Sequence, residues 1–151
     1  MNKVSKAMLS VAVVAMMFAG LANAQRDNRT PEEKEFVFRD SLFKVIGHKT
    51  SEMAAAHAKG DQAAFKQASA DMAALAGMIT GGFQIQGNVF EGSLALPAIW
   101  EDFDDFTDKA NSLKQAAQAY AESGDLSAFS IREFSGGQCG GCHRNYKNRV
   151  K

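Results

Sequence analysis

The sequence predicts an all-α fold, an antiparallel up-and-down four-helix bundle, and three observations carry that expectation. Apolar residues recur at threes, fours and sevens along four separate stretches, the spacing of one helical face. No run shows the two-residue alternation of a half-buried strand. Helix start and stop residues bound the four stretches, leaving two short connections and one longer connection in the middle, as in a bundle with antiparallel neighbours.

The first 24 residues stand apart from this pattern. Lys3 and Lys6 precede an apolar run from Ala7 to Leu21, broken by Ser10 and Gly20, and Ala22-Asn23-Ala24 closes it as a small-x-small cleavage site. This is the make-up of a secretory signal peptide. The run is too short, and too promptly followed by polar residues, for a stable membrane span. Cleavage after Ala24 leaves Gln25 to Lys151, 127 residues with 15 basic and 17 acidic side chains. That length suits one domain. The near-neutral charge lacks the basic footprint that nucleic-acid binding requires.

The first helix is expected from Pro31 to about Ala58. Thr30 can cap it, Pro31 loses nothing at the first helical position, and Glu33 completes a capping box. Phe36, Phe43, Ile46, Met53 and Ala54 form its stripe, and Gly60 ends it. Asp61 caps the second helix, which carries Phe65, Ala68, Met72, Leu75, Ala76 and Ile79 and stops at Gly81-Gly82. The connection from Thr80 to about Leu96 holds Phe83, Ile85, Val89 and Phe90, too apolar for open water, and is expected to fold over something hydrophobic. The third helix begins near Pro97, buries Ile99, Trp100, Phe103, Phe106, Ala110, Leu113, Ala117 and Tyr120, and stops at Gly124. Its carboxylates Glu101, Asp102, Asp104 and Asp105 suit a solvated first turn, where the helix dipole favours them. The fourth starts at Asp125 or Ser127, carries Phe129 and Phe134, loosens at Gly136-Gly137 and resumes to Tyr146.

The chemistry of the chain concentrates in Cys139-Gly140-Gly141-Cys142-His143. Two thiols three apart, followed directly by an imidazole, form the attachment sequence of a c-type haem. Each thiol can add across one vinyl group, which brings His143 beneath the macrocycle as iron ligand. The same residues have two other uses in proteins. A thioredoxin-like redox pair wants its thiols at a helix N-terminus after a strand, and no strand-like run precedes Cys139. A zinc site needs a fourth ligand beyond Cys139, Cys142 and His143, and His48 and His57 are remote in sequence. Export and the motif together favour covalent haem.

With these residues in view, the mature chain resembles class II c-type cytochromes of the cytochrome c′ group. The resemblance rests on Phe38-Arg39-x-x-x-Phe43, on Pro97-x-Ile99-Trp100, and on Cys139-x-x-Cys142-His143-x-x-Tyr146-Lys147 near the C-terminus. It implies a left-handed four-helix bundle with haem c held between the helices, one per chain, in the bacterial periplasm. It also implies a homodimer through the first two helices, and alanines 54, 55, 56, 58, 63, 64, 70, 73 and 74 would supply its small-residue surface. Residue by residue, Cys139 and Cys142 take the thioether positions and His143 the proximal ligand position. Arg39 takes the position of a propionate-contacting arginine, with an ion pair to Glu35 as the plainer alternative. Phe43 takes the distal position, and Trp100 either packs on the haem edge or belongs to the core. The chain departs from the group at Lys147, often arginine, since lysine lacks the rigid bidentate fork.

Phenylalanine has no lone pair, so a distal Phe43 implies five-coordinate, high-spin iron. The nearby alternatives fit poorly: Met53 lies about 15 Å further along the helix and His57 about 21 Å, while His48 is rotated by about 140°. The expected function is single-electron transfer with redox partners, together with binding of nitric oxide or carbon monoxide. A low-spin, six-coordinate electron carrier without gas binding is the alternative. An enzyme is not expected, because a haem peroxidase wants a distal acid–base residue that Phe43 cannot supply.

Overall fold

The computed structural model describes residues 28–149, which excludes the proposed signal peptide and its cleavage site. Helix α1, Pro31–Lys59, begins with both halves of the expected capping box: the Glu33 amide donates to Thr30 Oγ1 at 3.2 Å, and the Thr30 amide to Glu33 Oε2 at 2.8 Å. Gly60 ends the helix in the left-handed region at φ 69°, as its lack of a Cβ permits. The helix presents two inward rows rather than the single stripe expected. Leu42, Ile46, Met53 and Ala56 are buried in the core, whereas Phe36 and Phe43 are half-buried because they face a cavity.

Helix α2, Gln62–Ala76, is capped by Asp61, whose Oδ1 accepts from the Ala64 amide at 3.0 Å. It stops short of the expected Gly81-Gly82. Gly77, among the poorer helix formers, closes it, and the chain turns before a single 3₁₀ turn at Ile79–Gly82. Gly82 lies against α1 so closely that a Cβ there would sit 2.8 Å from the Arg39 Cβ. Only glycine allows this crossing. Lys49 on α1 reaches Asp71 on α2 at 2.9 Å, pinning the antiparallel pair. Of the alanines assigned to an outer surface, Ala56 and Ala73 are instead buried inside the bundle.

The expected third helix is two. Helix α3, Ala98–Glu101, breaks at Asp102, which leaves helical geometry and caps α4, Phe103–Ser123. The Asp102 carboxylate accepts from the Asp105 amide at 3.2 Å, the local competition by which aspartate restarts a helix. Phe106, Ala110, Leu113 and Ala117 are buried, and small alanines on α2 and α4 let these helices approach closely. Gln62 and Lys66 at the start of α2 donate to the carbonyls of Gly124 and Glu122 at the end of α4, so this pair is antiparallel too.

The fourth helix starts later than expected. Asp125 Oδ1 accepts from the Ser127 amide and hydroxyl, and this Asx turn holds the chain out of helix. Ser130 then caps α5, Ile131–Phe134. The backbone widens into one π-type turn over Ser135–Cys139, where the glycine pair foreshadowed loosening. It resumes as α6, Gly140–Tyr146. Lys147 pairs with Ala95 in an isolated antiparallel bridge, flanked by bonds from the Leu96 amide to the Tyr146 carbonyl and from the Asn148 amide to the Leu94 carbonyl. No described helix is long and apolar enough to cross a membrane.

Candidate functional site

The core is interrupted by a mostly apolar cavity of about 430 Å³ between α1, α4 and α6, with residues 92–95 of the middle connection along its rim. Cys139, Cys142 and His143 form one wall, Arg39 and Phe43 stand on the α1 wall, and Phe106, Ala110 and Leu113 come from α4. Five of the six residues singled out from sequence therefore share one space. Trp100 does not line it. Its indole N–H donates to the Phe83 carbonyl at 3.0 Å and its ring lies 6.1 Å from that of Phe83, which does line the cavity. The apolar sequence pattern cannot distinguish a wall residue from one packed directly behind it.

The motif follows the π-type turn. Both cysteines are unpaired and half-buried, and burial raises both thiol pKa values. Cys142 is pushed up to about 11, by burial first, with Asp105 and Cys139 adding and Lys109 opposing. A redox dithiol needs the opposite shift. Burial, with Lys147 second, lowers the His143 pKa, which favours the neutral imidazole whose lone pair can bind a metal. Among the described residues, no cluster of histidine, cysteine and carboxylate side chains could hold a metal ion by itself. His48 instead bridges to Glu52 on the surface at 3.1 Å, and His57 packs edge-on against Phe129. Two thiols beside an apolar cavity, with one imidazole next to them, fit a porphyrin attached by its edge. The volume lies within the ordinary range of cofactor pockets, roughly 300–1,000 Å³.

Arg39 is buried at the cavity edge, where its guanidinium donates to the Asn88 carbonyl at 2.6 Å and to Ser93 Oγ at 3.2 Å. It lies 3.8 Å from Glu35, so the plainer ion pair is present. Burial lowers its pKa while Glu35 opposes that shift. Glu35 in turn accepts from the Ile85 amide at 2.8 Å and from Asn88 Nδ2 at 2.8 Å. The buried charges thus tie the connection down, and Phe90 stacks on Phe36 at 5.0 Å above them. Val89, by contrast, is exposed rather than folded inward. Sequence reasoning missed Asn88, which carried no signal. Phe83 stood out as an apolar loop residue expected to fold over something hydrophobic, and it is buried along the cavity wall.

On the opposite side, Tyr146 is buried edge-on against Phe106 at 5.4 Å, and its hydroxyl donates to the Asp105 carboxylate. Lys109 holds the same carboxylate at 2.8 Å. Lys147 ends α6 beside His143 and shares with His143 and Arg149 a second, open hollow that no carboxylate lines among the described residues. Thr50 lines the main cavity, but its hydroxyl donates to the Ile46 carbonyl of its own helix, and Lys44 is held by Asp40 at 2.7 Å. Phe43 meets Phe83 edge-on at 6.2 Å. Gly47 follows one turn later on the cavity side.

The chain is 32% identical to cytochrome c-554 of Cereibacter sphaeroides over 120 residues, 74% of this chain and 78% of that one. It is 33% identical to cytochrome c-556 of Agrobacterium fabrum over 116 residues, 72% of this chain and 77% of the other. Among solved structures, cytochrome c prime from Shewanella frigidimarina superposes with a TM-score of 0.66 at 28% identity, covering 81% of this chain and all of its own. The family model described as cytochrome C′ matches residues 35–147, from the buried Glu35 to the end of the attachment helix. The chain belongs to the cytochrome c′ family, and Cys139 and Cys142 attach its haem c covalently.

Proposed function

We propose that this chain is an exported periplasmic haem protein that exchanges single electrons and binds nitric oxide or carbon monoxide at a distal site walled by Phe43. Bound to Cys139 and Cys142, haem supplies a one-electron iron couple and a coordination position whose use the surrounding protein decides. One observation carries the reading. Among the described residues lining the cavity there is no methionine and no histidine besides His143, and Phe43 stands on the α1 wall. Met53 is fully buried elsewhere in the core. Arg39, Lys44 and Thr50 have their polar ends held by protein partners, so the distal wall offers a neutral diatomic molecule space and an anion little recognition.

The proposed division of labour follows from the same residues. His143 would ligate the iron, and Arg39, which holds the connection, would take a propionate as well. Lys147 and Arg149 beside His143 favour approach by an acidic redox partner, since complementary charge steers encounter. A two-fold dimer through α1 and α2 is supported by the exposed Val37, Phe38 and Val45 on α1, and sedimentation giving only monomer at micromolar protein would remove it. Electron paramagnetic resonance and resonance Raman spectra of the purified protein test the main reading. High-spin ferric and five-coordinate ferrous signatures are expected. A low-spin spectrum with a histidine or methionine sixth ligand would replace gas binding with electron carriage alone.

A further inference from the structure

Tyr120, Tyr146 and Trp100 are the two phenols and the one indole of this sequence, the rings most easily oxidised by a single electron. An oxidised phenol or indole is a strong acid, so the electron leaves readily only where a base can take the proton. Tyr120 donates to the Ala128 carbonyl at 3.3 Å, and Trp100 to the Phe83 carbonyl at 3.0 Å. A peptide carbonyl accepts a hydrogen bond but does not keep a proton. The Tyr146 hydroxyl donates instead to Asp105 Oδ2, with the Asp102 carbonyl as a longer second acceptor at 3.4 Å. A carboxylate is an ordinary proton acceptor.

Position separates the three rings as well. Tyr146 lines the cavity, on the same face of α6 as Cys142 one turn earlier, whereas Tyr120 and Trp100 do not line it. Its ring is buried edge-on against Phe106. Burial first and Asp105 second raise its pKa, so it remains a protonated phenol at neutral pH. Asp105 is less buried, and Lys109 at 2.8 Å keeps it ionised and ready to receive. We propose that Tyr146 and Asp105 form a second redox centre of this chain, a proton-coupled electron donor to oxidants stronger than the iron couple. The phenol gives one electron to an oxidant of the peroxyl-radical class, and its O–H bond breaks as the proton passes to Asp105 Oδ2. The peroxyl radical becomes a hydroperoxide anion, which takes a proton from water. One electron returned by the redox partner, with the proton from Asp105, restores the phenol. The centre goes beyond the functional reading above and needs no gas ligand.

The test mixes the haem-loaded protein with hexachloroiridate(IV), a one-electron oxidant, and freezes it for electron paramagnetic resonance. The unsubstituted protein should give the signal of a neutral tyrosyl radical, distinct from that of ferric iron, and Tyr146→Phe should lose it. The chain has two tyrosines, so a signal retained in Tyr120→Phe assigns it to Tyr146 even if Tyr146→Phe does not fold. Asp105→Asn keeps the size but removes the base, and should slow radical formation by about a hundredfold, the low end for a positioned base. Formation should also slow in deuterium oxide, a measurement that needs no variant. A signal that persists in Tyr146→Phe, or is lost in Tyr120→Phe, would overturn the proposal, as would no tyrosyl signal from the unsubstituted protein. Equal rates in water and deuterium oxide, or an unchanged rate in Asp105→Asn, would overturn Asp105 as the proton acceptor and the paired centre with it.

Discussion

The guanidinium of Arg39 donates to the backbone carbonyl of Asn88 at 2.6 Å, joining the first helix to a loop 49 residues later. The bond matters because Asn88 also bonds Glu35, one turn before Arg39, through its own side chain. Two buried charges and one buried amide thereby fix the connection that rims the haem cavity.

Arg39→Ala should therefore do more than remove a cavity residue. It leaves Glu35 buried without its cation and frees carbonyls that had a donor, so the expected loss is about 3 kcal/mol, the lower end for breaking a buried pair. Glu35 keeps its bonds from Ile85 and Asn88, which limits the damage. Urea unfolding of the haem-loaded protein measures the loss. Limited proteolysis should find new cuts between residues 83 and 93. Unchanged cleavage there would mean that the connection is held by Phe83 and Phe90 alone.

Ser69 gives a prediction of opposite sign. It is fully buried on α2, and its Oγ has no hydrogen-bond partner among the described residues. An unsatisfied buried hydroxyl is unfavourable, and alanine is the better helix former. Ser69→Ala should stabilise by about 1 kcal/mol in the same urea assay. A destabilised variant would reveal a partner for the hydroxyl, such as an internal water.

The Asp105–Tyr146 bond predicts a pH dependence. Lys109 first and Tyr146 second hold the Asp105 carboxyl below the usual carboxylate range. Its contribution to stability is therefore present above the ordinary aspartate pKa of about 3.9 and is lost as pH falls through the lower, folded value. Tyr146 is shifted upward, chiefly by burial and then by Asp105. Its contribution is full below about pH 10 and is lost as pH rises through its raised folded value. Asp105→Asn should lower Tm at neutral pH and flatten its fall below about pH 4. Parallel acid limbs in the two proteins would remove Asp105 from the account.

How much of this was legible in the sequence depends on how local each feature is. The capping box at Thr30 and Glu33 and the left-handed stop at Gly60 are local, and both stand where expected. The break at Asp102 is also local, yet a continuous apolar face across Ile99, Phe103 and Phe106 concealed it, because periodicity survives a one-residue cap. The late start of the fourth helix was hidden in the same way by the Asx turn at Asp125. Arg39, Phe43, Cys139, Cys142 and His143 could be singled out by motif, and the fold brings them to one cavity. The Arg39–Asn88 and Tyr146–Asp105 bonds join residues more than forty apart, and no spacing rule relates such pairs.

Phe43 supports the final prediction, and two substitutions there should move in different directions. The ring lines the cavity, lacks a lone pair and meets Phe83 edge-on. Phe43→Ala removes the obstacle on the distal side, so carbon monoxide should associate faster with the reduced protein. The same change enlarges a cavity and should cost about 3 kcal/mol or somewhat less, given that Phe43 is only half-buried. Phe43→Met replaces the ring with a flexible thioether of similar bulk that can donate to iron. A low-spin spectrum and slower carbon monoxide binding should follow, because the sulfur must leave before the gas can enter. The pair separates wall from bystander. If Phe43→Ala leaves the association rate unchanged and Phe43→Met stays high-spin, the distal wall lies elsewhere on α1, and Phe43 is a core residue that borders the cavity without facing the iron.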